Sequence, residues 1–203
     1  NRNIGLGQGI GISSNVGEDL DFNMYGGIYR NVELIKTNEV HITDAVHAGE
    51  VNGGGILVHW NEISSEAASG FVKVHIRNDA EAAKELQVRT TLTSEGGSEI
   101  SFLTPVENID SYEARHFQQQ VKISNPKLWS PREPHLYTVK MQVLSGDKIL
   151  DEKSLKTGIR KMELTDTAFI LNGEELFING TNRHQEYPYV GYAISNEANY
   201  RDA

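Results

Sequence analysis

The sequence predicts an all-β protein built on an antiparallel β-sandwich. Short stretches rich in Val, Ile, Thr and aromatic residues recur along the chain, several alternating apolar with polar side chains as a strand buried on one face does. Between them fall turn-forming clusters at Gly53-Gly54-Gly55, Asn78-Asp79, Ser94-Glu95-Gly96-Gly97 and Ser145-Gly146-Asp147. Helical periodicity is scarce, and about seven or eight short strands at such spacing mark a sandwich.

Residues 1–20 carry Gly at 5, 7, 9, 11 and 17 without any sustained period, so they read as a mobile loop or arm. Gly5-Leu6-Gly7-Gln8-Gly9 is no dinucleotide fingerprint, because Ile10 stands where the pattern needs Gly and no strand precedes it. From Tyr29, Val32, Leu34 and Lys36 alternate with Asn31, Glu33 and Ile35, which predicts a strand. Strands follow at Val40–Thr43, Ile56–Trp60, Phe71–Ile76, Leu86–Leu92, Ile100–Leu103, Phe117–Ile123, Tyr137–Leu144 and Ile149–Leu155. In the clearest of them Tyr137, Val139, Met141 and Val143 share one face, and the opposite register would bury Lys140. Ala80–Leu86 holds good helix formers but is too short for more than a turn or two. Phe169-Ile170-Leu171, Asn172-Gly173 and Leu176-Phe177-Ile178 predict a hairpin with a type I′ or longer turn. Ser195 is a good N-cap for a helix that starts there with an acidic first turn. A chain that begins Asn1-Arg2-Asn3-Ile4 and breaks off one turn into a helix is expected to be a piece of a longer one.

Composition excludes several classes of function. The 203 residues are too few for a complete (β/α)₈ barrel, which needs roughly 250. With 19 Lys+Arg against 28 Asp+Glu the net charge is −9, which repels nucleic acid and anionic membrane surfaces. Cysteine is absent, and with it disulfides, thiolate nucleophiles and Cys-based metal sites. No apolar run reaches the roughly 20 residues of a membrane span.

Candidate chemistry concentrates late in the chain. His41, His47, His59, His75, His116 and His135 are scattered without metal-ligand spacing. Glu18-Asp19-Asp21 and Glu174-Glu175 are the acid clusters, but neighbours on a strand point to opposite faces, so Glu174-Glu175 is no hydrolytic dyad. Asn179-Gly180-Thr181 fits a glycosylation acceptor and is given no role. The denser signal is Asn179 to Glu186, where Asn182-Arg183-His184 follows the apolar run Leu176-Phe177-Ile178. Such a cluster reads first as a loop making local hydrogen bonds, and second as donors and an imidazole presented at a strand end.

Three separated motifs resemble one family in order and spacing. Asp21 to Leu34 is similar to the segment closing the N-terminal sugar-binding jelly roll of family 2 glycoside hydrolases. Leu128-Trp129-Ser130-Pro131 with Pro134-His135-Leu136-Tyr137 resembles a loop and strand of their immunoglobulin-like second domain. Gly158-Ile159-Arg160, Leu171-Asn172-Gly173 and Phe177 to His184 resemble the start of their catalytic barrel. The resemblance implies a jelly-roll tail at 1–36, an immunoglobulin-like sandwich at 37–160 and the first hairpin of a truncated (β/α)₈ barrel at 161–203.

By the same resemblance the intact enzyme is a retaining glycosidase, nearest the β-galactosidase branch, whose two catalytic Glu residues lie beyond Ala203. It implies a carbohydrate substrate, no cofactor in this piece, Mg or Na ions in the intact enzyme, and an assembly that could be a homo-oligomer. A soluble protein, periplasmic or secreted, fits that reading. Asp21 matches a carboxylate that reaches the sugar or a cation, His184 an imidazole on a sugar hydroxyl, and Asn182 and Arg183 residues that brace the site. Gln185 departs from the Glu of many members. A non-catalytic carbohydrate-binding or adhesion module is the alternative, although with Trp only at 60 and 129 no row of stacking aromatics is evident. The third reading, favoured for this piece, is an interdomain spacer.

Overall fold

The computed structural model describes residues 27–51, 54–183 and 185–203. Its contacts divide the chain into two units: Lys36–Ile178, and Asn1–Ile35 together with Asn179–Ala203. The Gly-rich arm at 1–20, Asp21 and His184 lie outside the described residues.

The larger unit is antiparallel throughout its ladders. β1 (Val40–Ile42), β2 (Ile56–Ile63), β3 (Ala67–Asn78) and β7 (Ala114–Ser124) form one sheet, in which β3 pairs with β7 on one side and with β1 and β2 on the other. β4 (Lys84–Thr93), β5 (Glu99–Leu103), β6 (Glu107–Ile109), β8 (Tyr137–Ser145) and β9 (Lys148–Thr157) form the second. There β4 carries β5 and β6 on one edge and β8 on the other, and β9 closes the sheet against β8.

The core is the meeting of the two inner faces. Ala68, Val72, Val74 and Ile76 of β3 and Phe117, Val121 and Ile123 of β7 are buried with Leu86, Val88 and Leu92 of β4 and with Tyr137, Val139, Met141 and Val143 of β8. Each large side chain taken out of water in this way contributes about 1.5–3 kcal/mol. The period-2 pattern read in β8 therefore describes a real inner face.

β1 belongs to the first sheet yet is tied to the second through side chains. The Ile42 amide donates to Asp151 Oδ2 at 2.8 Å, and Lys153 Nζ donates to the carbonyls of Ile42 at 3.0 Å and Thr43 at 3.3 Å. Asp151 and Lys153 alternate along β9, so an edge strand carries charges towards a neighbour and its own backbone is kept from pairing indiscriminately.

Ala80–Leu86 does not become a helix. Buried Asn78 donates to the carbonyls of Ala82, Ile109 and Asp110 and accepts from the Ala80 amide, which pins a turn, and β4 already starts at Lys84. The strand read at Tyr29–Lys36 does not form either. Val32, Leu34 and Ile35 are 76%, 99% and 69% exposed and pair with nothing among the described residues. Alternation alone supplies no ladder partner, and a lone strand leaves its backbone unpaired.

The hairpin is β10 (Met162–Leu164), β11 (Phe169–Leu171) and β12 (Glu174–Glu175). Asn172 and Gly173 have φ of 55° and 85° and close a two-residue turn, the backbone that type I′ requires. The return strand is shorter than the sequence suggests: Leu176 still donates to the Phe169 carbonyl, but Phe177 and Ile178 are exposed. In the smaller unit α1 (Asn196–Asp202) is capped by Ser195, whose hydroxyl accepts from the Ala198 amide.

Candidate functional site

Within the larger unit, the sandwich and the hairpin are joined by residues drawn from three motifs. The Trp129 amide donates to the Ile159 carbonyl at 2.9 Å, and Leu128 bridges Ile159 in parallel. The indole lies so close over Gly158 that a Cβ there would stand 2.4 Å from Trp129 Cβ. Arg160 covers the ring with its guanidinium 4.4 Å from the ring centre, a cation–π arrangement. Asn172 Nδ2 donates to the Trp129 carbonyl at 2.9 Å, and its Oδ1 accepts from the Lys161 amide at 3.0 Å. Trp129 is thus a rivet between sandwich and hairpin.

Within the smaller unit, Tyr29 and Arg30 meet the loop that follows Arg183. Arg30 donates to Gln185 Oε1 at 3.2 Å and to the Tyr192 carbonyl at 3.2 Å, and the Tyr29 and Tyr192 rings lie 5.6 Å apart. Gln185, a neutral acceptor, serves Arg30 as a carboxylate would, without the charge. Arg183 donates to Asn199 Oδ1 at 3.2 Å and to Asp202 Oδ2, both on α1, while Asn182 is exposed. The structure therefore brings Arg30, Gln185 and Tyr192 together, none of which the sequence reading named as a site residue. Only the Tyr29-Arg30 pair within the first motif signalled it.

A histidine pair crosses the outer face of the first sheet. His75 of β3 and His116 of β7 stack with ring centres 4.4 Å apart, His75 Nδ1 sits 3.0 Å from Thr43 Oγ1, and Glu50 is 3.8 Å from His116 Nε2. Burial, and then the charge of His116, hold the His75 pKa below the ordinary histidine value, with Lys73 and Arg77 adding to this and Glu50 opposing it. The folded chain binds fewer protons here than the unfolded chain does. The stability from neutral His75 is full above about pH 6.5 and is lost as pH falls towards the lower folded value. Urea midpoints measured from pH 7.5 to 5 are expected to fall with acidification, and His75→Gln is expected to flatten that slope. An unchanged slope in the variant would remove His75 as the cause.

Among the described residues no group of three or more His, Asp or Glu side chains is placed to hold a metal, and no described helix is long and apolar enough to cross a membrane.

The profile of Glycosyl hydrolases family 2 matches residues 57–160, from β2 to Arg160 beside Trp129. The chain belongs to glycosyl hydrolase family 2. A β-galactosidase of Thermoanaerobacter pseudethanolicus is 33% identical over 92% of the chain, and a β-glucuronidase of Bacteroides fragilis 30% identical over 90%. The solved β-glucuronidase 2 of Bacteroides uniformis superposes with a TM-score of 0.77 at 26% identity over 90% of the chain. The chain spans 23%, 27% and 22% of those proteins, about a quarter of their length.

Proposed function

We propose that this chain is the interdomain part of a retaining family 2 glycosidase that hydrolyses terminal β-glycosidic bonds, β-galactosides first. The observation that carries the reading is the family match through β2–β9 running directly into the Trp129 junction and the hairpin. The proposed organisation is a jelly-roll tail at 1–36, the sandwich at 37–160 and the barrel start at 161–203. In a retaining enzyme one Glu protonates the leaving oxygen while a second, about 5–5.5 Å away, attacks the anomeric carbon. Both are proposed to lie outside residues 1–203, so the chain alone turns over no substrate and acts as a spacer holding its neighbours in register. The Bacteroides uniformis enzyme is covalently bound to a cyclophellitol-6-carboxylate aziridine, which supports a covalent route.

Asp21 and His184 are the proposed sugar contacts. A donor at 184 that tightens only as the ring distorts would raise turnover rather than affinity. The hold of Arg183 on Asn199 and Asp202 supports bracing as the role of that residue. Mg or Na ions are proposed only for the intact enzyme, and no step is routed through them.

A β-glucuronide substrate is the second reading, favoured by the likeness to the Bacteroides uniformis structure. With 4-nitrophenyl β-galactoside and β-glucuronide offered to the intact protein, kcat/KM is expected to favour the galactoside by about tenfold or more, some 1.4 kcal/mol. The opposite preference selects the second reading. Sustained turnover by residues 1–203 alone would overturn the spacer.

A further inference from the structure

We propose that the cleft between β2 and the 157–162 segment is a binding site for a carboxylate, held by the Arg160 guanidinium. The cleft lies within the larger unit and measures about 350 Å³, and its lining includes Val58, Trp60, Asn61, Arg160, Lys161 and Met162. That volume is at the lower end of the range for small-molecule sites.

Arg160 is set up to receive an anion. Its guanidinium lies 4.4 Å from the centre of the Trp129 ring, so one flat face is occupied by the indole. The five N–H donors lie in the plane of the group, and stacking leaves them unused. Among the described residues the Arg160 side chain makes no hydrogen bond or ion pair. Arg89 and Arg132 also lack such partners, but both are exposed to water, whereas Arg160 is half-buried. A fork held flat on a ring loses little freedom when it grips a planar carboxylate through two parallel N–H···O bonds.

The neighbouring groups set the charge of the occupant. Lys161 Nζ already stands between Glu62 and Glu163, at 3.9 and 3.8 Å. Arg160 is left as an unbalanced positive charge in the lining, which a monoanion neutralises. A phosphate dianion would bring a second negative charge towards Glu62 and Glu163. Trp60 is 6% exposed, and its indole N–H, which can only donate, has no acceptor among the described residues. Asn61 adds an exposed amide, and Val58 and Met162 supply apolar surface for the carbon chain of a short acid.

The chain carries tryptophan only at 60 and 129, one in the lining and one under Arg160, so its two indole N–H resonances report on the cleft. In proton–nitrogen correlation spectra of the 203-residue chain at constant ionic strength, propionate is expected to shift both resonances and to saturate in the millimolar range. Propionamide, of the same shape without the charge, is expected to shift neither. Arg160→Gln should weaken propionate binding about tenfold or more, and Arg160→Lys by a smaller factor, because the charge remains and the fork is lost. Equal shifts by propionamide, a response that never saturates, or unchanged affinity in Arg160→Gln would overturn the site. Calorimetry on the intact protein then separates two sources of the carboxylate. Heat from propionate that Arg160→Gln removes identifies a free acid as the occupant. No heat from either form, beside the shifts in the 203-residue chain, identifies an acidic side chain of the intact protein as the group already seated there.

Discussion

Gly70→Ala is expected to abolish or severely weaken folding of the sandwich, by about 4 kcal/mol or more. Gly70 sits in the middle of β3, paired with Trp60 of β2 on one side and Val121 of β7 on the other. The register of β2 slips between Trp60 and Glu62, and at that bulge its backbone leans over β3. A Cβ at 70 would lie 2.0 Å from the His59 carbonyl oxygen and 2.9 Å from Trp60 Cα. Both are backbone atoms, so no rotamer change relieves the overlap. Either the bulge moves, taking the ladder bonds of β2 with it, or β3 parts from β2. Each route leaves backbone groups short of partners, at about 1–3 kcal/mol apiece when buried. Gly96→Ala is the control, because a Cβ there meets only Ser94 Oγ at 3.9 Å. Its urea midpoint is expected to stay within about 0.5 kcal/mol of the starting protein. A Gly70→Ala protein with the same midpoint as that control would show that β2 yields at the bulge almost without cost.

Much of this fold could be read locally. β8 announced itself because every second residue from Tyr137 to Val143 is apolar and its inner face is buried, so period and burial coincide. The Asn172-Gly173 turn and the Ser195 cap were legible for the same reason, since the chemistry that forms them lies within a few residues. The short strands β6 and β10 were not. Three residues cannot display a period, and all of Met162–Leu164 is exposed, so pairing with neighbours alone defines that strand. Tyr29–Lys36 fails in the opposite sense: it shows the alternation of a strand with no described partner to complete it. The candidate site was hidden by distance along the chain. Arg30 and Gln185 are 155 residues apart, and nothing in either segment states that a guanidinium will meet that particular amide. Tyr189 is fully exposed with φ of 72°, a backbone conformation that composition does not disclose.

Trp129→Ala is expected to cost about 3 kcal/mol and to uncouple the hairpin from the sandwich. The indole is only half-buried, so the figure belongs at the lower end for removing an aromatic side chain. What makes the loss large is that the ring serves two partners at once: it fills the space above Gly158 and carries the Arg160 guanidinium on its face. Arg160→Ala removes one of these and is expected to cost about 0.5–1 kcal/mol. In a double-mutant cycle the two substitutions should be less than additive, because Arg160 has no ring to cover once Trp129 is gone. The backbone bonds of residue 129, to Ile159 and from Asn172, can survive the substitution, so the sandwich should still fold. Amide hydrogen exchange separates the two consequences. Protection in β3, β4 and β8 should fall only with global stability, whereas amides of β10 and β11 should exchange faster than that change accounts for. Strictly additive energies, or uniform exchange across the unit, would mean that Trp129 is ordinary packing. The expected pattern would instead identify Trp129 as the point at which the hairpin is fixed to the sandwich.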